Sequence, residues 1–289
     1  MQPLEGESLR KPSTTSTFGD LGTRPWLVLG GGGLKGLAHV GAWRALVEAG
    51  VRPQGIVGTS IGALIGVLAS SGMSWEEMRE HALAVRRADI VRLNRRAAWI
   101  NGIRQPSLFR GNSLMEFYER LVPPEGWNSL RIPVLVNAVD LADGSTEWFG
   151  TGARTDVSVA EAVYASSALP VFYPPFVHEG RAFVDGGSAH PLALDRAEAE
   201  GATGIIGCDP GAGEKGDIDK VLEQGMLAVH ERVFAIMTWR RRRDLISAWD
   251  GPPLMYVRPR LEGYGTFDFD HVQFFLDEGY RAMKEALGG

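Results

Sequence analysis

The sequence predicts an α/β fold, a three-layer α/β/α sandwich around a mostly parallel sheet, on three observations. Short apolar runs of strand length alternate with longer helical patterns along most of the chain. Glycine-marked turns follow three of those runs, at Gly30 to Gly36, Gly58 to Gly62 and Asp185 to Gly187. One hairpin signal, Asp143-Gly144, interrupts the alternation and joins two neighbouring strands. Strands covered on both faces by helices follow from that pattern.

Taken in order, strands are expected at Trp26 to Leu29, Ile56-Val57, Ile132 to Asp140, Thr146 to Phe149, Ala182 to Val184, Ile205 to Cys208 and Leu254 to Val257. A helix over Ile61 to Ala69 follows the second strand. Three further helix starts carry capping boxes, Ser74 with Glu77, Ser113 with Glu116 and Ser158 with Glu161. Pro191 suits the first turn of a helix running to about Glu200, and Phe269 to Leu287 reads as a closing amphipathic helix.

With 289 residues, 44% hydrophobic and 22% charged, the chain is long enough for one large α/β domain, expected from Pro25 to Gly289. Met1 to Arg24, rich in Ser, Thr, Gly and Pro, is expected as a disordered leader without the apolar core of a signal peptide. The longest near-continuous apolar stretch, Ile61 to Ala69, is about half of what a membrane span needs. The single cysteine, Cys208, rules out an intramolecular disulfide and points to a reducing, cytoplasmic setting.

The three glycine-marked turns together supply what acyl transfer needs: backbone amides for an oxyanion, a serine on a tight strand-to-helix turn, and a carboxylate. In Gly58-Thr59-Ser60-Ile61-Gly62 the small residues two positions either side of Ser60 permit the strained turn that exposes its hydroxyl. Gly31-x-Gly33-x-x-Gly36 is also the dinucleotide-binding pattern. That reading requires an acid at the end of the second strand, where Gly58-Thr59-Ser60 stands instead. A P-loop fails because Gly36 follows Lys35 where Ser or Thr is needed. Amides of Gly31, Gly32 and Gly33 aimed into a shared site fit an oxyanion hole.

The residues at this point resemble the patatin-like phospholipase family, with its glycine-rich loop at Gly31 to Gly36, G-x-S-x-G elbow at Gly58 to Gly62, and D-G-[GA] motif at Asp185, Gly186 and Gly187. Leu37 to Gly41, Ala165 to Pro170 and His190 to Leu192 look like the family as well, so the resemblance covers about Pro25 to Leu287. Gly30 and Lys35 stand where members often carry Asp and Arg; the basic residue is kept. The resemblance implies a patatin-like fold, Ser60 as nucleophile, Asp185 as general base, and a serine esterase acting on lipid esters, of phospholipase A or lysophospholipase type. No cofactor or metal is implied.

Two alternatives stay open. A Ser-His-Asp esterase on small soluble esters would recruit His178 or His190, which flank the Asp185 motif. His39 and His81 read as helix residues, His230 and His271 as helical and distant. The other alternative is a non-enzymatic nucleotide-binding module. Arg86 to Arg110 holds seven arginines against one aspartate, interleaved with apolar residues, in a chain of net charge −5. It reads either as contact with an anionic membrane surface or as a solvated helix. The run Arg240 to Arg243 beside Trp239 and Trp249 raises the same question. Nucleic acid is not an expected partner, since the basic clusters are local and no binding motif accompanies them.

Overall fold

The computed structural model describes residues 16–94, 105–211, 213 and 216–288. Its strands are β1 (Pro25–Leu29), β2 (Gly55–Gly58), β3 (Val134–Asp140), β4 (Thr146–Gly150), β5 (Phe176–His178), β6 (Arg181–Asp185), β7 (Gly204–Cys208) and β8 (Leu254–Val257). They form one sheet in the order β5-β6-β3-β2-β1-β7-β8, with β4 on β3. The run β3-β2-β1-β7-β8 is parallel throughout; β4 and β6 join β3 antiparallel, and β5 joins β6 antiparallel. The mostly parallel sheet is therefore observed.

Helices α1 (Ala38–Glu48), α2 (Ile61–Ser71), α3 (Trp75–Ala84), α4 (Arg87–Ile90), α5 (Gly111–Leu121), α6 (Val159–Ser167), α7 (Leu194–Ala199), α8 (Ile218–Glu223), α9 (Met226–Ser247) and α10 (Val272–Ala286) complete the chain. Strand side chains alternate between two buried faces. Leu27, Leu29 and Ile56 pack with Leu46 of α1, Val67 of α2 and Phe275 of α10. Trp26, Val28, Val57 and Leu135 face the opposite layer, with Leu194 and Ala197 of α7 and Ile246 of α9. Each such aliphatic or aromatic side chain contributes about 1.5–3 kcal/mol on burial. Residues buried on both faces explain why the strands read as continuous apolar runs.

Register brings distant residues together along β3. β4 occupies Leu135 to Val139 on one edge, so β2 and β6 must share the other. There Gly58 ends opposite Val136 and Asp185 opposite Ala138, the two strands meeting end to end. This convergence places the second and third glycine-marked turns side by side.

Several expectations are corrected. The segment Phe176–His178 is a strand without a clear signal in the sequence; Glu179 and Gly180, at φ 49 and 78, turn it directly into β6. Ser113 is no N-cap: α5 begins at Gly111, and the Ser113 hydroxyl donates to the Arg110 carbonyl instead. Pro191 precedes α7, which starts at Leu194; its carbonyl accepts from the Gly31 N–H. Within the expected leader, Phe18–Leu21 forms a 3-10 turn with Leu21 buried, and the Ser16 N–H donates to the Leu254 carbonyl. Residues 1–15 lie outside the described residues. The Ser74 and Ser158 capping boxes and the Asp143-Gly144 hairpin are present as expected.

Candidate active site

Ser60 is the N-cap of α2 and has φ 56 and ψ −123, a conformation that non-glycine residues rarely adopt. Holding it costs about 1–3 kcal/mol and requires its surroundings to determine it fully. They do so from three directions. Its N–H donates to the Ser166 hydroxyl at 2.8 Å, the Thr59 hydroxyl donates to the His190 carbonyl at 3.0 Å, and the Thr59 N–H donates to the Leu29 carbonyl. Gly62 passes so close to the Leu29 carbonyl that no side chain fits there, and Gly58 is equally tight against Ala63. The serine therefore sits at the amino end of an eleven-residue helix, whose dipole favours negative charge.

Asp185 ends β6 and caps the 3-10 turn Gly186–Ser188, its Oδ1 accepting from the Gly187 N–H at 2.7 Å. Asp185 is buried, 5% exposed as a residue. Burial pushes its pKa up to about 6, against the Gly187 N–H hydrogen bond and the nearby Ser60 side chain, which favour the ionised form. Asn137 of β3 lies beside this turn and donates to the Gly186 and His190 carbonyls. Its amide ties the turn after Asp185 to the segment behind Thr59.

The glycine loop supplies the third wall. Gly31 donates its N–H to the Pro191 carbonyl at 3.1 Å, so that amide is engaged within the protein. Among the described residues no acceptor meets the N–H of Gly32 or Gly33. Gly33 has φ +60 and lies against Thr266, which excludes any side chain. Gly36 packs against Ile61 within the 3-10 segment Gly33–Leu37. Lys35 is buried, donates to the Tyr264 carbonyl at 3.2 Å, and has its pKa pushed down to about 8 by burial, with Arg242 adding to the effect.

Ser60, Asp185 and Gly31 to Gly33 line one cavity of about 140 Å³. Leu64, Leu114, Phe117, Phe172 and Phe267 give it an apolar side; Lys35, His230, Glu231 and Arg242 give it a polar corner. Ile90, from the arginine-rich segment, also reaches the cavity. Arg95, Arg96 and Arg104 of that segment lie outside the described residues.

The histidines are otherwise disposed. His178 Nε2 meets Asp156 at 2.9 Å and His190 Nδ1 lies 3.6 Å from Asp195, neither among the cavity residues. His39 is fully buried, its Nε2–H donating to the Gly30 carbonyl at 2.8 Å, and burial pushes its pKa down to about 4. His230 corrects the expectation of distance, because α9 folds over the site and brings it to the cavity. Asp156, His178 and Glu179 are close enough for a metal ion, but Arg154 bridges to Asp156 and Glu179 and already supplies positive charge there. Ser166, Asn137 and the cavity face of α9 are site residues that the sequence did not single out. Only Ser166 had a signal, within the Ala165 to Pro170 stretch.

Comparison with known proteins gives consistent matches. The patatin-like phospholipase family profile matches residues 27–197. Patatin-like phospholipase domain-containing protein 6 of Mus musculus is 26% identical over 295 residues, covering 91% of this chain and 20% of its own length. Lysophospholipase NTE1 of Coccidioides immitis is 28% identical over 298 residues, 90% of this chain and 17% of its own length. The chain thus spans about a fifth of the length of these curated relatives. The solved structure of VipD from Legionella pneumophila is alike in fold, with a TM-score of 0.50 over 92% of this chain and 67% of its own at 15% identity.

Proposed function

The chain belongs to the patatin-like phospholipase family, and from that premise we propose that it is a serine lipid acyl hydrolase of phospholipase A or lysophospholipase type. Ser60 Oγ attacks the ester carbonyl carbon while Asp185 takes its proton. The carbonyl oxygen becomes an oxyanion facing the N–H groups of Gly32 and Gly33 and the amino end of α2. Collapse expels the alcohol, which leaves with the proton from Asp185, and an acyl-Ser60 ester remains. Asp185 then deprotonates a water that attacks this ester, the second tetrahedral intermediate collapses as Asp185 returns that proton to Ser60 Oγ, and the acid is released. These steps call on no cofactor.

The observation that carries this reading is that Ser60, on its strained turn at the amino end of α2, lines one cavity with the buried Asp185 carboxyl, whose pKa burial raises to about 6. A base near that value is better matched to neutral pH than an ordinary aspartate. The apolar side of the cavity suits an acyl chain. His178 and His190, the histidines that flank the Asp185 motif, do not line this cavity, which disfavours the triad alternative. The nucleotide reading lacks its acid, since β2 ends in Gly58 and Thr59-Ser60 follow it.

The substrate would be reached at a membrane surface, from a reducing cytoplasmic side compatible with the single buried Cys208. No helix among the described residues is long and apolar enough to cross a membrane. Hydrolysis of a panel of phospholipids and lysophospholipids, by wild type and Ser60→Ala in parallel, tests the proposal. Release of fatty acid by wild type alone is expected; equal release by both would reject it.

A further inference from the structure

We propose that the outer face of α9, continued onto α8, is the surface by which the protein seats on an anionic lipid bilayer. The inference rests on the lipid hydrolase reading but is carried by a separate observation. One stripe of α9, comprising His230, Glu231, Phe234, Ala235, Thr238 and Arg242, lines the cavity that holds Ser60. Met226, Val229, Val233 and Met237 recur at spacings of three and four residues on a second stripe, roughly a third of a turn away. They face solvent, Met226 at 86%, Val233 at 49% and Met237 at 62% exposure. Ile218 and Leu222 of α8 are exposed as well.

Soluble surfaces scatter single apolar residues, but a contiguous set on one helix face marks an interaction site. Two features select a bilayer as its occupant. The exposed stripe borders the cavity-lining stripe on the same helix, so a lipid in contact with the first lies beside the helix that walls the cavity. The stripe also runs into Arg240 and Arg241, both exposed, on a chain whose net charge is −5. Asp244, in the next turn, is paired with Arg243 at 2.9 Å. Apolar side chains followed by arginines form the pattern of a helix lying in the headgroup region. The run Arg240 to Arg243 lies on the same helix as both the exposed apolar stripe and the cavity wall.

Vesicle flotation of the full chain carrying Ser60→Ala separates binding from turnover. Phosphatidylcholine vesicles with and without phosphatidylglycerol would be used. Met226→Gln, Val233→Gln and Met237→Gln together should lower partitioning at least about tenfold on both vesicle types. Arg240→Gln with Arg241→Gln should weaken binding about fivefold per arginine on the anionic vesicles alone, and added salt should erase that difference. With Ser60 restored, both variants should hydrolyse a short soluble ester at the wild-type rate, which also reports that they fold. Unchanged flotation of the triple variant would overturn the proposal. So would a wild-type dimer that the triple variant dissolves without loss of vesicle binding, since the face would then pack against a second copy. Turnover by Ser60→Ala would reject the catalytic assignment while leaving the flotation result intact.

Discussion

Gly58 and Asp185 meet the same edge of β3, opposite Val136 and Ala138, although they belong to strands that approach from opposite ends of it. That register, set by apolar alternation on two buried faces, brings the serine turn and the carboxylate together. A one-residue slip of β6 would turn Asp185 to the other face of the sheet. The proposed chemistry is therefore a property of strand pairing as much as of the motifs.

Asp185→Asn keeps the shape of the turn and removes the proposed base. We expect kcat on a soluble ester to fall about 10² to 10⁴-fold. Steady-state rates within about twofold of wild type would remove Asp185 from the mechanism.

The same substitution should alter stability in a pH-dependent way. Burial raises the folded pKa of Asp185 to about 6 from an ordinary 3.8, so its contribution is fully present below about pH 4 and is lost as pH rises through about 6. At ~1.4 kcal/mol per pKa unit, ionisation in the fold costs on the order of 3 kcal/mol. Urea titrations should find Asp185→Asn more stable than wild type at neutral pH, with the gap closing in acid. A gap that stays constant with pH would contradict this.

For turnover the sign is opposite. In the proposed mechanism the carboxylate is the active form, so kcat/KM should rise through about pH 6 and level off above it. This break should survive in His178→Ala and His190→Ala. Its disappearance in either variant would favour a histidine base.

Backbone strain at Ser60 offers an independent check. Glycine adopts φ 56, ψ −123 freely and alanine does not, so Ser60→Gly should be more stable than Ser60→Ala by about 1 kcal/mol or more, with both inactive. Equal midpoints in thermal unfolding would mean the turn is unstrained in solution.

The glycine loop separates two classes of amide. Gly33→Ala, at φ +60 and against Thr266, should lose about 10² to 10³-fold in kcat, the cost of one oxyanion donor. Gly31→Ala should be milder, since its N–H is already bonded to Pro191 and a methyl meets only ordinary contacts. Comparable losses in the two would reject Gly32 and Gly33 as the donors.

The parallel part of the sheet was legible in the sequence because strands buried on both faces read as apolar runs, as Trp26 to Leu29 and Ile205 to Cys208 do. The edge was less so. Phe176–His178 is three residues long with Val177 exposed, too short for alternation to register. Ser60, Asp185 and the glycines announced themselves through local turn chemistry. Ser166 and Asn137 did not, because their contributions are single hydrogen bonds made across the fold. His230 was misjudged for a related reason: nothing along the chain reveals that α9 folds over the cavity. Gly31 was grouped with its neighbours because spacing cannot tell an engaged amide from an available one.

Reaction with a fluorophosphonate probe, followed by peptide mapping of wild type, Ser60→Ala and Asp185→Asn, tests the central assignment most directly. A single adduct on Ser60 is expected, absent in Ser60→Ala and formed far more slowly in Asp185→Asn. An adduct on any other serine, or equal labelling of wild type and Ser60→Ala, would contradict it.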